Sequence, residues 1–133
     1  MLGNFQQSQL RIELEASQNI IRDSLLNTAQ LRQWMWPQNL AADLPEKLSA
    51  GLIFTSRLGF VEIEHFVKVA DDNCLQLILS KGIDGYHEWC WSDGWIQSRL
   101  EGISLLPLDL GQTYSLMRLR QHINMMQQKS NAQ

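Results

Sequence analysis

The stretch Tyr86–Leu106, YHEWCWSDGWIQSRLEGISLL, constrains the fold more than any other part of the chain. Read at period two it gives two strands, Tyr86–Trp91 and Trp95–Leu105, joined by Ser92-Asp93-Gly94, whose Asp-Gly pair carries hairpin-turn chemistry. Setting Trp91 opposite Ile96 places Trp89 opposite Ser98 and His87 opposite Leu100, all on one face. That face sets large aromatics beside a small polar residue. A solid core fills such a row with Val, Leu and Ile, whereas a strand lining a hollow need not. The hairpin therefore predicts a sheet that bounds a cavity.

The rest of the chain is long enough to complete such a sheet. Its 133 residues suit one domain, here taken as residues 1–133 with an ordered core of about 5–128. A hydrophobic content of 44% and a charged content of 19% are globular values. The net charge of −3 provides no basic field, which argues against nucleic acid or anionic lipid as partner. The longest apolar runs, such as Ile103–Leu106, fall far short of the roughly 20 residues of a membrane span. The start, MLGNFQQSQL, lacks a basic-then-apolar secretory pattern, so a cytoplasmic location is expected. Cys74 and Cys90 lie in predicted strands with no CxxC spacing and read as two reduced, buried thiols. A register that pairs Leu75 with Trp91 makes them close neighbours.

In chain order, Gln9–Leu14 alternates Leu10, Ile12 and Leu14 against Gln9, Arg11 and Glu13, a half-buried strand. Ser17 is an N-cap for a helix whose Ile20, Ile21, Leu25 and Leu26 form one stripe. Thr28 caps a second short helix, Ala29–Met35, which Pro37 stops. Gln38–Ser49 reads as a loop. Leu52–Arg57 and Phe60–Ala70 are strands about a Leu58-Gly59 turn, and Asp71-Asp72-Asn73 turns the chain into a strand carrying Leu75, Leu77 and Leu79 inward. Short connections throughout predict an antiparallel meander. After Pro107 the longest helix, Gln112–Gln128, carries Leu116, Leu119, Ile123 and Met126 on its core stripe, with Tyr114, Met117 and Met125 widening it. Arg118 and Arg120 lie off that stripe, on a face expected to be solvated.

Strand, two short helices, meander and long final helix is an unusual order. With LEASQNIIRDSLLNTAQLRQWMWP, GWIQSRLEGISLLP and QTYSLMRLRQHI, it resembles small bacterial members of the START, birch-pollen-allergen and polyketide-cyclase superfamily (SRPBCC). The resemblance covers nearly the whole chain. It implies an α+β helix-grip fold, in which a curved antiparallel sheet of six or seven strands wraps a C-terminal helix and leaves a pocket between them. It also implies a hydrophobic or amphipathic small molecule as partner and no cofactor. Paired His, Asp and Tyr acid–base groups, which mark enzymatic branches, are not recognisable.

Running the register across the meander pairs Val69 with Leu75, His65 with Leu79, Leu77 with Trp89 and Leu79 with His87. His65 and His87 then share a row about 10 Å apart, two strand spacings, too far to share an ion. No third ligand is evident, and no metal site is expected. His65 and His87 remain acid–base candidates near neutral pH. The expected ligand-binding set is Trp34, Trp36, His65, Leu77, Leu79, His87, Trp89, Trp91, Ser98, Leu100 and Met117. Trp95, Phe60 and Phe66 fall on the outer face, a candidate surface for a homodimer, and Arg99 with Glu101 forms a surface pair there.

Three functions follow. The first is binding or carrying of a small lipid, isoprenoid or polyketide-like molecule in the cavity. The second is a cyclase- or dehydratase-like enzyme using a pocket histidine. The third is a protein-interaction module whose cavity is filled by its own side chains.

Overall fold

A computed structural model describes residues 3–35 and 38–132. Ten elements follow one another: β1 (Asn4–Glu13), α1 (Gln18–Leu26), α2 (Thr28–Trp34), β2 (Asn39–Leu40), β3 (Ile53–Leu58), β4 (Val61–Ala70), β5 (Cys74–Lys81), β6 (Asp84–Ser92), β7 (Trp95–Ser104) and α3 (Leu108–Asn131). The strands form one seven-stranded sheet in the order β1-β7-β6-β5-β4-β3-β2, antiparallel at every pairing. Only the β1–β7 pairing joins strands distant in sequence, which places α1 and α2 between the first strand and the meander. The expected α+β helix-grip architecture is the one observed.

The β6–β7 hairpin has the expected register, with Trp91 opposite Ile96, Trp89 opposite Ser98 and His87 opposite Leu100. Gly94 supplies the positive φ, 83°, that the tight Asp-Gly turn needs. The turn docks on the β1–α1 junction: Asp93 Oδ1 accepts from the Gln18 N–H at 2.7 Å, and Gly94 N–H donates to the Ala16 carbonyl at 3.0 Å.

Elsewhere the register departs from expectation in two places. A β-bulge between Val67 and Val69 leaves His65 opposite Leu79 but moves Val69 from Leu75 to Gln76. Between β5 and β6 the pairing is two residues tighter, with Leu77 opposite His87 rather than Trp89, and Leu79 opposite Gly85 rather than His87. Lys81 adopts a left-handed φ of 72°, and the turn closes earlier than the sequence suggests. A two-residue slip keeps every side chain on its face, so the inward set survives. The rows change: His65 sits between Phe54 and Leu79, while His87 lies between Leu77 and Leu100.

The helices also need adjustment. Ser17 caps α1 as expected, its Oγ accepting from the Ile20 N–H at 3.3 Å. Asn27, not Thr28, caps α2: Asn27 Oδ1 accepts from Gln30 N–H at 3.0 Å, and the Thr28 hydroxyl donates to the Pro45 carbonyl at 2.8 Å. The expected loop Gln38–Ser49 contains the short β2. The final helix begins four residues earlier than Gln112, with Pro107 at its N-cap position, where a missing N–H costs nothing. Its arginines are not merely solvated. Arg118 donates to the Gln33 and Trp34 carbonyls at 3.0 and 3.2 Å, satisfying the C-terminal end of α2, and Arg120 donates to the Glu13 carbonyl at 2.7 Å.

Packing divides the interior in two. Toward the β6–β7 turn, Ile21, Trp91, Ile96, Leu119 and Ile123 are fully buried and belong to one hydrophobic cluster. Toward the start of α3, the sheet and helix stand apart.

Candidate functional site

The space left there is a cavity of about 220 Å³. The sheet supplies Phe54, Ile63, Leu75, Leu77, Leu79, His65, His87, Trp89 and Leu100; α1 and α2 supply Leu25, Leu31 and Trp34; α3 and its approach supply Leu106, Pro107, Leu108, Gly111, Gln112 and Ser115. Strand parity explains the sheet's share, because alternate residues of β3 to β7 turn inward. Among the described residues no charged side chain lines it; the polar contributors are Gln38, His65, His87, Gln112 and Ser115.

Those polar groups are tied to the frame. His87 Nε2 lies 3.1 Å from Ser98 Oγ, and Ser98 Oγ accepts from Gln112 Nε2 at 3.0 Å. The same amide reaches the Ser98 carbonyl at 3.0 Å, while Ser8 donates its hydroxyl to Gln112 Oε1 at 2.5 Å. One chain of hydrogen bonds thus links β6, β7, β1 and α3 across the cavity's edge. A parallel arrangement holds the second histidine: His65 Nε2 is 2.9 Å from Ser56 Oγ, which also accepts from Gln38 Nε2. In both sets the serine oxygen already accepts from a glutamine, so its own O–H is free to donate to the imidazole Nε2. With the serine donating, each ring is neutral with its proton on Nδ1; the opposite tautomer reverses the direction of that one bond. Phe54 stacks on His65 with ring centres 4.5 Å apart and planes 4° from parallel, fixing the ring's tilt. His65 Nδ1 is buried with no hydrogen-bond partner among the described residues.

Burial favours the neutral rings. It lowers His65 from the usual 6.5 to about 4. His87 is lowered to about 3, by burial first and by the neighbouring His65 second. The aromatic wall is fixed too: Trp34 and Trp89 meet edge to face at 6.0 Å, and Trp34 Nε1 donates to the Ser24 carbonyl at 2.8 Å.

Of the residues expected from sequence, Trp34, His65, Leu77, Leu79, His87, Trp89 and Leu100 line the cavity. Trp91 does not: it is 1% exposed inside the solid half, where the hairpin turn presses against α1. Ser98 is buried behind His87, holding it rather than facing the space. Met117 points away, 58% exposed on the outer side of α3. Trp36 lies outside the described residues. Sequence reasoning missed Gln112, Ser56 and Phe54. Gln112 stands four residues before Leu116 on the core stripe of α3, and Ser56 and Phe54 share inward parity on β3; those positions were the available signals.

No protein-family model matches the sequence, and no curated protein does. Solved structures do match. The protein CV1439 from Chromobacterium violaceum superposes with a TM-score of 0.70 at 17% identity, over 88% of this chain and 96% of its own. DynU16, from the dynemicin biosynthetic locus, gives 0.68 at 13% identity over 89% of this chain, which spans only 47% of DynU16. Ginseng major latex-like protein 151 from Panax ginseng gives 0.63 at 8% identity, covering 93% of this chain and 98% of its own. At these identities the likeness is one of fold. Together with the sheet order, the two clasp helices and the gripped α3, it identifies the helix-grip fold.

Proposed function

We propose that the protein binds and carries a small, uncharged hydrophobic or amphipathic molecule, of lipid, isoprenoid or polyketide-like character, between the sheet and α3. The observation that carries this reading is the wall of the cavity: apolar side chains with a few anchored polar groups and no charged one among the described residues. A charged ligand group would be stranded there without a partner. The size favours a compact ligand, since 220 Å³ is below the roughly 300–1,000 Å³ of drug-sized sites. The surroundings fit as well. Cavity-lining Leu58 and Leu106 have exposed Phe60 and Leu105 beside them in sequence, so the end of the sheet that holds the cavity is apolar outside as well as inside.

The cyclase- or dehydratase-like alternative asks a pocket histidine to exchange protons near pH 7. Rings lowered to about 4 and about 3 are neutral there, so no imidazolium stands ready as an acid and each ring is a weak base, far from the matched pKa that general acid–base catalysis prefers. The filled-cavity alternative is disfavoured by the cavity itself.

The test is a tryptophan-fluorescence titration with a panel of neutral hydrophobic ligands, because Trp34 and Trp89 stand in the wall. A saturable change is expected with at least one member. Leu77→Phe, which fills part of the space, should weaken that binding by about tenfold or more while leaving the circular dichroism spectrum intact. No saturable change with any member, or equal binding by the filled variant, would contradict the reading.

A second reading concerns the outer face. Ile53, Phe66 and Ile78 are cross-strand neighbours, 58%, 40% and 40% exposed, and Tyr86 continues their row. Such a row suits association with a second copy of the chain. Sedimentation velocity should then show a dimer that Phe66→Glu converts to monomer.

A further inference from the structure

Cys74 and Cys90 stand directly opposite one another on β5 and β6, on the outer face, with Sγ atoms 3.0 Å apart. The neighbouring pair is the hydrogen-bonded one, since Trp91 N–H donates to the Asn73 carbonyl at 3.0 Å. Antiparallel pairs alternate, so Cys74 and Cys90 occupy a non-hydrogen-bonded position, where Cα atoms stand about 4.5 Å apart and side chains are nearest. That spacing lies within the roughly 4.4–6.8 Å that a disulfide spans, so closure requires side-chain rotation and little backbone movement. Both residues are half-exposed, which leaves the pair open to a reagent from solvent.

We infer that Cys74 and Cys90 are an oxidisable pair, closing to an intramolecular disulfide on reaction with a small disulfide such as oxidised glutathione. The bond would staple the strands that contribute Leu75, Leu77, His87 and Trp89 to the cavity wall. This inference does not depend on the ligand-carrying role.

The exchange runs in two steps. One thiol loses its proton to water and its Sγ bonds to one sulfur of oxidised glutathione; the reagent's S–S bond breaks, and one glutathione leaves as thiolate. The facing thiol, 3.0 Å away before reaction, then gives its proton to water and attacks the Sγ of the mixed disulfide, expelling the second glutathione. The protein loses two protons and two electrons, and one glutathione disulfide becomes two glutathione thiols.

The reduced, folded protein incubated with oxidised glutathione tests this by intact mass and thiol alkylation. The expected product is a monomer lighter by about 2 Da, with alkylatable thiols falling from two to none. Cys90→Ser and Cys74→Ser should each stop at a glutathione adduct of about 305 Da on the remaining thiol. Two thiols persisting in the wild-type protein, a stable glutathione adduct there, or a link to a second chain would overturn the pairing. Should either variant fail to fold, the wild-type mass still decides the pairing.

Discussion

The two cavity histidines make the fold weaker in acid, and His122, lowered by burial and by Lys129, adds in the same direction. Unfolded, each titrates near 6.5; folded, His65 titrates at about 4 and His87 at about 3. Between these values the unfolded chain takes up protons that the folded chain refuses. Their effect on stability is therefore absent above pH 6.5 and becomes a growing loss as the pH falls toward 4. The loss is about 1.4 kcal/mol per pH unit for each ring. Urea unfolding between about pH 6 and pH 4.5 should show this slope, and His87→Gln should lower it by about one proton's worth. An unchanged slope in the variant would mean that His87 is not held neutral. Gln112 is the second decisive side chain. Gln112→Leu removes the donor to Ser98 and the acceptor for Ser8, and should cost about 1–3 kcal/mol in the same assay. A cost near zero would show that these serines find other partners.

Strand pairing shows what pattern alone conveys. The β6–β7 register was legible because Asp93-Gly94 permits one tight closure, and Trp91, Trp89 and His87 then fall into place. The β5–β6 register was not, because Lys81-Gly82-Ile83-Asp84-Gly85 can close at more than one point and a left-handed lysine leaves no mark on the hydrophobic pattern. Parity survived the slip, so the sequence told which face each residue takes but not which neighbour it meets. It also could not tell depth along the strand. Trp89 and Trp91 have equal parity, yet one walls a cavity and the other is sealed, because α1 covers only one end. Gly85 faces Gly102 across the β6–β7 pairing, and a Cβ on Gly85 would lie 2.0 Å from the Glu101 carbonyl oxygen. Gly85→Ala should therefore cost about 2–4 kcal/mol. Gly111, inside α3 with open space where its Cβ would be, should behave oppositely, gaining about 0.5–1 kcal/mol as Gly111→Ala. Thermal unfolding of the two variants checks both signs.

The whole molecule is polarised along its sheet. The turns after β4 and β6 carry exposed Asp71, Asp72 and Asp93 and close over the solid half of the core. The turn after β3 and the loop before α3 carry exposed Phe60 and Leu105 and lie at the cavity end. A helix gripped by a sheet need not be packed along its whole length. Here Leu119 and Ile123 of α3 join Ile21 and Ile96 in the hydrophobic cluster, while Leu108, Gly111 and Gln112 line the cavity. That division gives a packed scaffold and a hollow in one fold, and it is the physical basis of the carrier proposal. Native mass spectrometry of the purified protein, followed by organic extraction of what it carries, tests the proposal most directly. The expected result is a fraction of the protein bearing one neutral hydrophobic molecule, lost on extraction and diminished in Leu77→Phe. A bare chain mass under gentle conditions, together with no mass shift after incubation with the ligand panel, would contradict it.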